Sequence, residues 1–215
     1  MRIEAGSKLL FIGDSVTDCG RARPVGEGKS EMLGNGYVSY VDALLHAAHP
    51  ESPIRVVNMG SSGNTVRDLR ARWQTDMLDL KPDWLSVMIG INDVWRQFDR
   101  PRQTEQSVPL DEYERILREI VGEARPGLKG LVLMTPFYIE ASTADTMRAR
   151  MDEYGAVVRR LALEYDAILV NTQAAFNVLL QYEHSSAIAW DRVHPNHVGH
   201  MALARAFLKG IGFAW

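Results

Sequence analysis

Cysteine is almost absent from this chain, which has one, Cys19, among its 215 residues. An internal disulfide is therefore excluded, and the composition is typical of a reducing compartment. Apolar runs of the roughly 18 residues that span a bilayer are also missing. No apolar segment of signal-peptide length precedes the first predicted strand. These absences predict a cytoplasmic protein without a membrane partner.

Positive charge is not in excess either. The 24 Lys and Arg residues are outnumbered by 27 Asp and Glu residues, which gives a formal net charge of -3. Without a basic patch we expect neither nucleic acid nor anionic lipid as a partner. Charges of opposite sign are interleaved in Arg67-Asp68-Leu69-Arg70-Ala71-Arg72, a pattern typical of a solvated helix face.

A complete phosphate-binding loop is missing, although one segment resembles its end. Gly28-Lys29-Ser30 has the terminal residues of such a loop, but Arg23 stands where the first glycine is required. No predicted strand leads directly into this segment. We therefore expect no nucleotide cofactor.

Strand and helix patterns alternate along the chain. Apolar runs predict strands at 9–12, 54–58, 84–89, 131–134 and 168–170, and apolar residues at helical spacing predict helices at 37–48, 66–80, 111–124, 144–165 and 196–208. The last helix is expected to pack through Val198, Met201, Ala202 and Phe207. Alternation of this kind requires right-handed crossovers and a parallel sheet with helices on both faces. We expect one domain, residues 1–215, with long loops at 18–36, 95–109 and 135–143.

Polar and glycine-bearing segments follow the first three predicted strands. Ser15 follows the first strand, Gly63 the second and Asn92 the third, while Asp191 and His194 precede the last helix. Because ligands bind beyond the carboxyl ends of parallel strands, we expect these residues to meet at one edge of the sheet.

The residue types at this edge suit acyl transfer. A serine hydroxyl needs a general base within about 3 Å, and the base needs a group that orients it. We assign Ser15 as nucleophile, His194 as base and Asp191 as the orienting carboxylate, since triads occur in several chain orders. The backbone N–H groups of Ser15 and Gly63 and the side-chain amide of Asn92 would form the oxyanion hole, where Gly63 permits close approach.

Other interpretations of the polar residues are weaker. His194, His197 and His200 are spaced so that a helix would spread them by about 120°, which disfavours a zinc site, and we expect no metal. His197 is expected to face solvent and His200 to pack or cap. Cys19 is expected to be a packed thiol.

The motifs Gly13-Asp14-Ser15, Gly63, Gly90-x-Asn92-Asp93 and Asp191-x-x-His194 occur in the order typical of the SGNH (GDSL-type) hydrolase superfamily, which this chain resembles. The resemblance implies an α/β fold, a flavodoxin-like three-layer α/β/α sandwich with a central five-stranded parallel sheet. It also implies the same triad and oxyanion residues, with no cofactor.

A narrower resemblance covers most of the chain. Segments 14–24, 90–97, 134–140 and 189–195 are similar to intracellular acetyl-xylooligosaccharide esterases. This resemblance implies a homo-oligomer that removes acetyl groups from short xylose oligomers. Asn171 stands where that group is expected to have Asp, which affects local hydrogen bonding only.

Two further functions stay open on the sequence. A lysophospholipase or thioesterase would use the same residues, and a non-catalytic carbohydrate-binding protein could retain the same scaffold. Trp95 and Trp190 flank the catalytic segments and are candidate substrate contacts, because aromatic faces stack on sugar rings, although large aromatics also pack in cores and interfaces. Arg21, Arg23 and Arg55 are expected at the surface or an interface.

Overall fold

Five parallel strands form one sheet in the computed structural model, which describes residues 1–215 apart from the side chain of Ser30. The strands are β1 (Lys8–Gly13), β2 (Arg55–Gly60), β3 (Trp84–Met88), β4 (Gly130–Met134) and β5 (Ile168–Val170), in the order β2-β1-β3-β4-β5. All neighbouring pairs are parallel. β1, β3 and β4 are almost entirely buried, as expected for central strands covered on both faces. The predicted sheet is confirmed.

The helices of the described chain complete two outer layers. They are α1 (Ser15–Asp18), α2 (Tyr37–Ala48), α3 (Val66–Ala71), α4 (Ile91–Asp99), α5 (Leu110–Ala124), α6 (Thr146–Glu164), α7 (Thr172–Leu179), α8 (Ser185–Ile188) and α9 (His197–Gly210). α9 packs against α2 and α7, whereas α5 packs against α3 and α6. The two groups flank the sheet and give the expected α/β/α sandwich. None of the described helices combines the length and the apolarity needed to cross a membrane.

The predicted helix at 66–80 is interrupted. α3 ends at Ala71, and a separate π-helical turn follows at Gln74–Leu78, where the Asp79 N–H donates to the Gln74 carbonyl at 2.9 Å. Trp73 is nevertheless fully buried. The apolar spacing therefore reports the buried face correctly and does not reveal the break, because both backbone conformations bury the same side chains.

The predicted packing face of the last helix is wrong in two positions. Val198 is 49% exposed and Met201 38% exposed, while Leu203 and Phe207 are fully buried. Residues four apart lie on the same helix face, and here the inward face is set by Leu203 and Phe207. The outer face of α9 therefore carries apolar side chains.

The predicted loop at 95–109 is also partly helical. α4 runs through Asp99, so Trp95 lies on a helix. The polar segment after β3 does not look helical, because its first residues, Gly90-Ile91-Asn92-Asp93, have the composition of a turn. α4 begins directly after Gly90 and carries Asn92 on its first turn.

Candidate active site

Ser15 begins α1 directly after the turn that ends β1. Asp14 is the N-cap of this helix, and its Oδ1 accepts a hydrogen bond from the Val16 N–H at 3.0 Å. Gly13 allows close packing against β3, since a Cβ at that position would lie 2.3 Å from the Met88 carbonyl oxygen. The turn thus presents the Ser15 hydroxyl at the carboxyl edge of the sheet, and the Asp14 cap supports it.

Ser15, His194 and Asp191 form a continuous chain of hydrogen bonds. Ser15 Oγ lies 2.9 Å from His194 Nε2, and His194 Nδ1 lies 2.6 Å from Asp191 Oδ2. With an ionised Asp191, the Nδ1–H donates to the carboxylate, so the Nε2 lone pair faces the serine hydroxyl. This is the arrangement that a serine nucleophile and its general base require.

Asp191 is held as a carboxylate. Its Oδ1 accepts from the backbone N–H groups of Val193 at 2.9 Å and His194 at 2.8 Å. Burial by itself raises the pKa of Asp191, but the hydrogen bonds from His194 and Val193 outweigh it and leave the pKa below its usual value. The carboxylate is therefore ionised at neutral pH and can stabilise a protonated His194.

The side-chain amide of Asn92 has a fixed orientation. Its Nδ2 donates to the Asn64 carbonyl oxygen at 3.0 Å, and its Oδ1 accepts from Arg96 Nη2 at 3.3 Å. An amide nitrogen carries two hydrogens, so one is left to donate to a ligand. Gly63 has φ of +82°, and a Cβ there would meet open space among the described residues. Gly63 and Asn92, the two predicted oxyanion donors besides Ser15, are therefore connected, because Asn92 binds the residue that follows Gly63.

Arg72 joins the elements that surround this network. Its guanidinium donates to the Asn64 Oδ1 at 2.6 Å, to the Met59 carbonyl at 2.7 Å and to the Gly13 carbonyl at 2.8 Å. The sequence predicts a solvated helix face for Arg72, which is wrong for this residue. The alternating charges around it gave no signal of these contacts, which depend on carbonyl groups that the fold brings near.

Asp18 holds the same segment from the other side. Its Oδ2 accepts from the Ser62 N–H at 3.0 Å, from the Ser62 hydroxyl at 2.9 Å and from Arg23 at 2.6 Å. Burial raises the pKa of Asp18, but the hydrogen bonds from Arg23 and Ser62 lower it overall. The segment that contains Gly63 is thus fixed on both sides by charged side chains.

Two buried carboxyl groups lie beneath the site. Burial raises the pKa of both Asp14 and Asp93 to about 7. Asp93 Oδ1 accepts from the Val66 N–H at 3.0 Å. Asp93 follows Asn92 on α4. Its bond to Val66 also connects α4 to the start of α3, which comes directly after the Gly63 segment.

The three neighbouring histidines have different partners. His197 is exposed, and its Nδ1 lies 2.6 Å from the Tyr40 hydroxyl. His200 is buried, accepts from the Tyr37 N–H at 3.2 Å and contacts Cys19 Sγ through Nε2 at 3.3 Å. Both placements agree with the predictions. The described residues contain no group of three or more His, Cys, Asp or Glu side chains arranged to hold a metal ion.

The Cys19–His200 contact involves two groups that are neutral at pH 7. Burial raises the pKa of the Cys19 thiol to about 12 and lowers the pKa of His200 to about 4. A thiol of this kind is a poor nucleophile. Cys19 is therefore a packed thiol, as predicted.

The two tryptophans differ in their relation to the triad. The Trp95 ring lies edge-to-face against His194 with centroids 5.7 Å apart, and the Arg96 guanidinium lies over it at 4.7 Å. Trp190 is 84% exposed, next to Asp191 in the chain. The structure brings Trp95 to His194, whereas Trp190 projects into solvent.

The predicted surface arginines include one buried residue. Arg21 is buried and donates to the carbonyl oxygens of Gly60 at 2.7 Å and Pro24 at 2.7 Å. The surface prediction is wrong for Arg21, because these carbonyls replace the water that a guanidinium would otherwise bind. Arg55 and Arg23 are exposed and pair with Glu27 and Asp18, respectively.

Comparison with known protein families identifies the family of this chain. The model of the GDSL-like lipase/acylhydrolase family matches residues 11–202. The chain belongs to this family. It is a carboxylic ester hydrolase, and the predicted SGNH fold and family are confirmed.

Similar proteins include an acetylxylan esterase and an α/β hydrolase enzyme. An acetylxylan esterase from Geobacillus stearothermophilus is 61% identical over 215 residues, covering 100% of this chain and 98% of that protein. The crystal structure of Axe2, an acetylxylan esterase from that organism, matches with a TM-score of 0.99 and 61% identity over 100% of this chain and 98% of its own. LAE5, an α/β hydrolase enzyme from the metagenome of Lake Arreo, matches with a TM-score of 0.97 and 52% identity over 99% and 98%. Solved structures of Axe2 include catalytic mutants in which a serine, a histidine or an aspartate is replaced by alanine.

Proposed function

We propose that this protein is a serine esterase that removes acetyl groups from short xylose oligomers. The observation that carries the proposal is the hydrogen-bonded chain from Ser15 through His194 to Asp191, with distances of 2.9 and 2.6 Å. The identity of 61% with an acetylxylan esterase over the full chain supports the substrate class.

The first half-reaction acylates Ser15. His194 Nε2 takes the hydroxyl proton as Ser15 Oγ bonds to the acetyl carbonyl carbon, and the carbonyl oxygen becomes an oxyanion. The N–H groups of Ser15 and Gly63 and the amide of Asn92 donate to that oxygen. When the intermediate collapses, the bond to the sugar oxygen breaks and His194 returns the proton to the departing hydroxyl.

The second half-reaction releases acetate. A water gives a proton to His194 and attacks the acetyl-Ser15 carbonyl, and the same donors stabilise the second oxyanion. Collapse breaks the bond to Ser15 Oγ, which recovers its proton from His194. Asp191 remains ionised throughout and stabilises each imidazolium.

Trp95 and Trp190 are proposed as the substrate-binding aromatics. Trp95 packs on His194 and can form a wall beside the reacting ester, which is supported by the 5.7 Å separation of the ring centroids. Trp190 is exposed next to Asp191, where its face is free to stack on a sugar ring.

We propose that the chain acts as one SGNH domain over residues 1–215, in the cytoplasm, as a homo-oligomer. The support for assembly is an apolar surface formed by Leu169, Val178 and Trp215 around a cavity of about 780 Å³ beside β5. Exposed apolar patches are frequent at subunit contacts. Size-exclusion chromatography with light scattering at several concentrations tests it, and a monomer throughout would contradict it.

The experiment for the substrate is mass spectrometry of products from acetylated xylooligosaccharides. We expect loss of acetyl groups with intact glycosidic bonds, and no reaction by Ser15→Ala. Rates on acetyl and octanoyl esters separate the proposal from a lysophospholipase or thioesterase, since preference for octanoyl would contradict it. Organophosphate labelling at Ser15 separates it from a binding protein, which would form no adduct.

A further inference from the structure

The leaving alcohol of the ester must lie on the His194 side of Ser15. His194 Nε2 is 2.9 Å from Ser15 Oγ and has to return its proton to the departing oxygen. In the proposed reaction the carbonyl oxygen accepts instead from Gly63 and Asn92. Space next to His194 and away from these two donors is therefore space for the alcohol part of the substrate.

A cavity of about 320 Å³ occupies that position. Ser15, His194, Cys19 and Asn35 line it, together with the Pro195–His197 segment, and Gly63 and Asn92 are not among its described lining residues. Its volume is close to the lower end of the range of roughly 300–1,000 Å³ that is usual for small-molecule sites. It can hold one small ring beside the reacting bond.

A second cavity adjoins the first. It has a volume of about 400 Å³, and Glu31 and Ser39 line it together with Cys19 and Asn35, which both cavities share. The two cavities therefore adjoin at Cys19 and Asn35 and together reach from Ser15 past Asn35 to Glu31, and we call this pair of cavities the trough. Two adjoining cavities of about 320 and 400 Å³ offer space for two rings of a linear oligomer.

Asn35 lies at the junction of the two cavities in a fixed position. Its backbone N–H donates to the Cys19 carbonyl at 2.9 Å. Gly34 has φ of +83°, and a Cβ there would lie 2.6 Å from the same carbonyl oxygen, so the turn favours glycine. The Asn35 side chain is exposed, and no described residue accepts from or donates to its amide.

We infer that this trough binds the sugar chain of the leaving group, with Asn35 donating to or accepting from hydroxyl groups of the ring next to the reacting ester and Glu31 contacting the following ring. The inference rests on the proposed function, since it extends that site to its oligosaccharide. Amide and carboxylate groups are suitable partners for vicinal hydroxyl groups. An acyl chain would find charged and amide groups in the trough and is a poor fit.

The experiment compares the Asn35→Ala and Glu31→Gln variants with the unchanged chain on three acetyl esters. The esters are p-nitrophenyl acetate, acetylated xylose and acetylated xylotriose. Loss of one neutral hydrogen bond typically costs about three- to tenfold in an equilibrium constant. We expect Asn35→Ala to lower kcat/KM on xylotriose by that factor, mostly through KM, and to leave p-nitrophenyl acetate within about twofold. Glu31→Gln should affect xylotriose and spare xylose.

The outcomes separate the trough from the activity. If the unchanged chain removes acetyl groups from xylotriose and Asn35→Ala does so equally well, the trough is not the sugar site although the proposed function holds. An equal loss on p-nitrophenyl acetate would show distortion of the site instead of lost sugar contact, and it also overturns the inference. If the unchanged chain hydrolyses p-nitrophenyl acetate but not the acetylated sugars, both the substrate proposal and the trough are wrong.

Discussion

Arg72 donates to the carbonyl oxygen of Gly13 at 2.8 Å, which links the end of α3 to the strand residue two positions before Ser15. The same guanidinium binds the side chain of Asn64, next to Gly63. One cation therefore connects the segment of the proposed nucleophile, Ser15, with the segment of a proposed oxyanion donor, Gly63. A displacement near 1 Å in such a site can cost roughly 10²-fold in rate.

Arg72→Gln should lower kcat by about 10- to 100-fold with little change in KM, because it loosens groups that matter in the transition state. Steady-state kinetics on p-nitrophenyl acetate measures the split. Arg72→Lys should recover part of the rate, and added guanidinium should partly rescue Arg72→Ala. The matched control is Arg70→Gln, since Arg70 lies on α3 and forms exposed ion pairs with Glu119 and Glu123 of α5. Equal effects of Arg70→Gln and Arg72→Gln would contradict this role.

Asn92→Ala should reduce kcat by about 10²–10³-fold, which is the usual loss for one oxyanion donor. KM should change much less, since the ground-state carbonyl gains less from the donor than the oxyanion does. The variant also leaves the Asn64 carbonyl without its side-chain donor, so a melting temperature is needed beside the kinetics. A rise in KM with unchanged kcat would show that Asn92 binds substrate and does not stabilise the oxyanion.

Asp191→Asn should lower kcat by about 10⁴-fold, the loss known for the equivalent change in a serine protease triad. An asparagine can donate to Nδ1, which favours the histidine tautomer with its hydrogen on Nε2 and removes the acceptor for the Ser15 proton. Burst kinetics with p-nitrophenyl acetate should show slowed acylation. Normal acylation with slow deacylation would place the role of Asp191 elsewhere in the cycle.

His200 should make the stability of the protein depend on pH. Its pKa is lowered by burial from 6.5 to about 4, so between these values the unfolded chain binds more protons than the folded chain. Its contribution therefore increases the free energy of unfolding as pH rises from about 4 to 6.5, by roughly 3 kcal/mol at most. Above this window the contribution is constant.

The measurement is the difference in unfolding free energy between the unchanged chain and His200→Gln, followed from pH 4 to 8 by urea denaturation. The difference is needed because Asp14 and Asp93 act in the opposite direction: their pKa values, raised by burial to about 7, favour the folded state at low pH and lose that contribution as pH rises toward 7. The difference should rise to near pH 6.5 and then level. Parallel profiles would show that His200 does not titrate in this way.

Much of the fold could be predicted, because the spacing of apolar residues and the alternation of strands and helices can be recognised in short stretches of sequence. The strand positions were predictable to within a residue or two, and so was the meeting of Ser15 with His194, since the carboxyl ends of parallel strands share an edge. The break after Ala71 was not predictable, because the apolar stripe through Trp73 suits a continuous helix equally well. The exposed face of α9 was missed because Val198 and Met201 are apolar without being inward.

The charged residues around the site were the least predictable part. Arg72, Asp18 and Arg21 bind backbone groups that are distant in sequence, at Gly13, Ser62 and Gly60. Backbone carbonyl and N–H groups occur at almost every residue, so the pattern of side chains does not indicate where such a contact forms. Asn171 is a contrasting case: its side chain accepts from the Ala174 N–H and caps α7, a local role that Asn fulfils as well as Asp.

Gly13 packs closely on β3, so the central strands fix the position of Ser15, two residues further along the chain. The segment from Gly20 to Asn35 is bonded instead to the edge strand β2, through the Gly26–Asn58 bridge and the bond from Arg21 to the Gly60 carbonyl. Exchange of that segment between related enzymes should therefore alter the choice of carbohydrate without loss of the reaction only where Arg21 and Arg23 are kept, because they bind Gly60 and Asp18 beside the Gly63 segment. Substrate specificity can therefore change in this fold through one surface segment, without substitutions in the core.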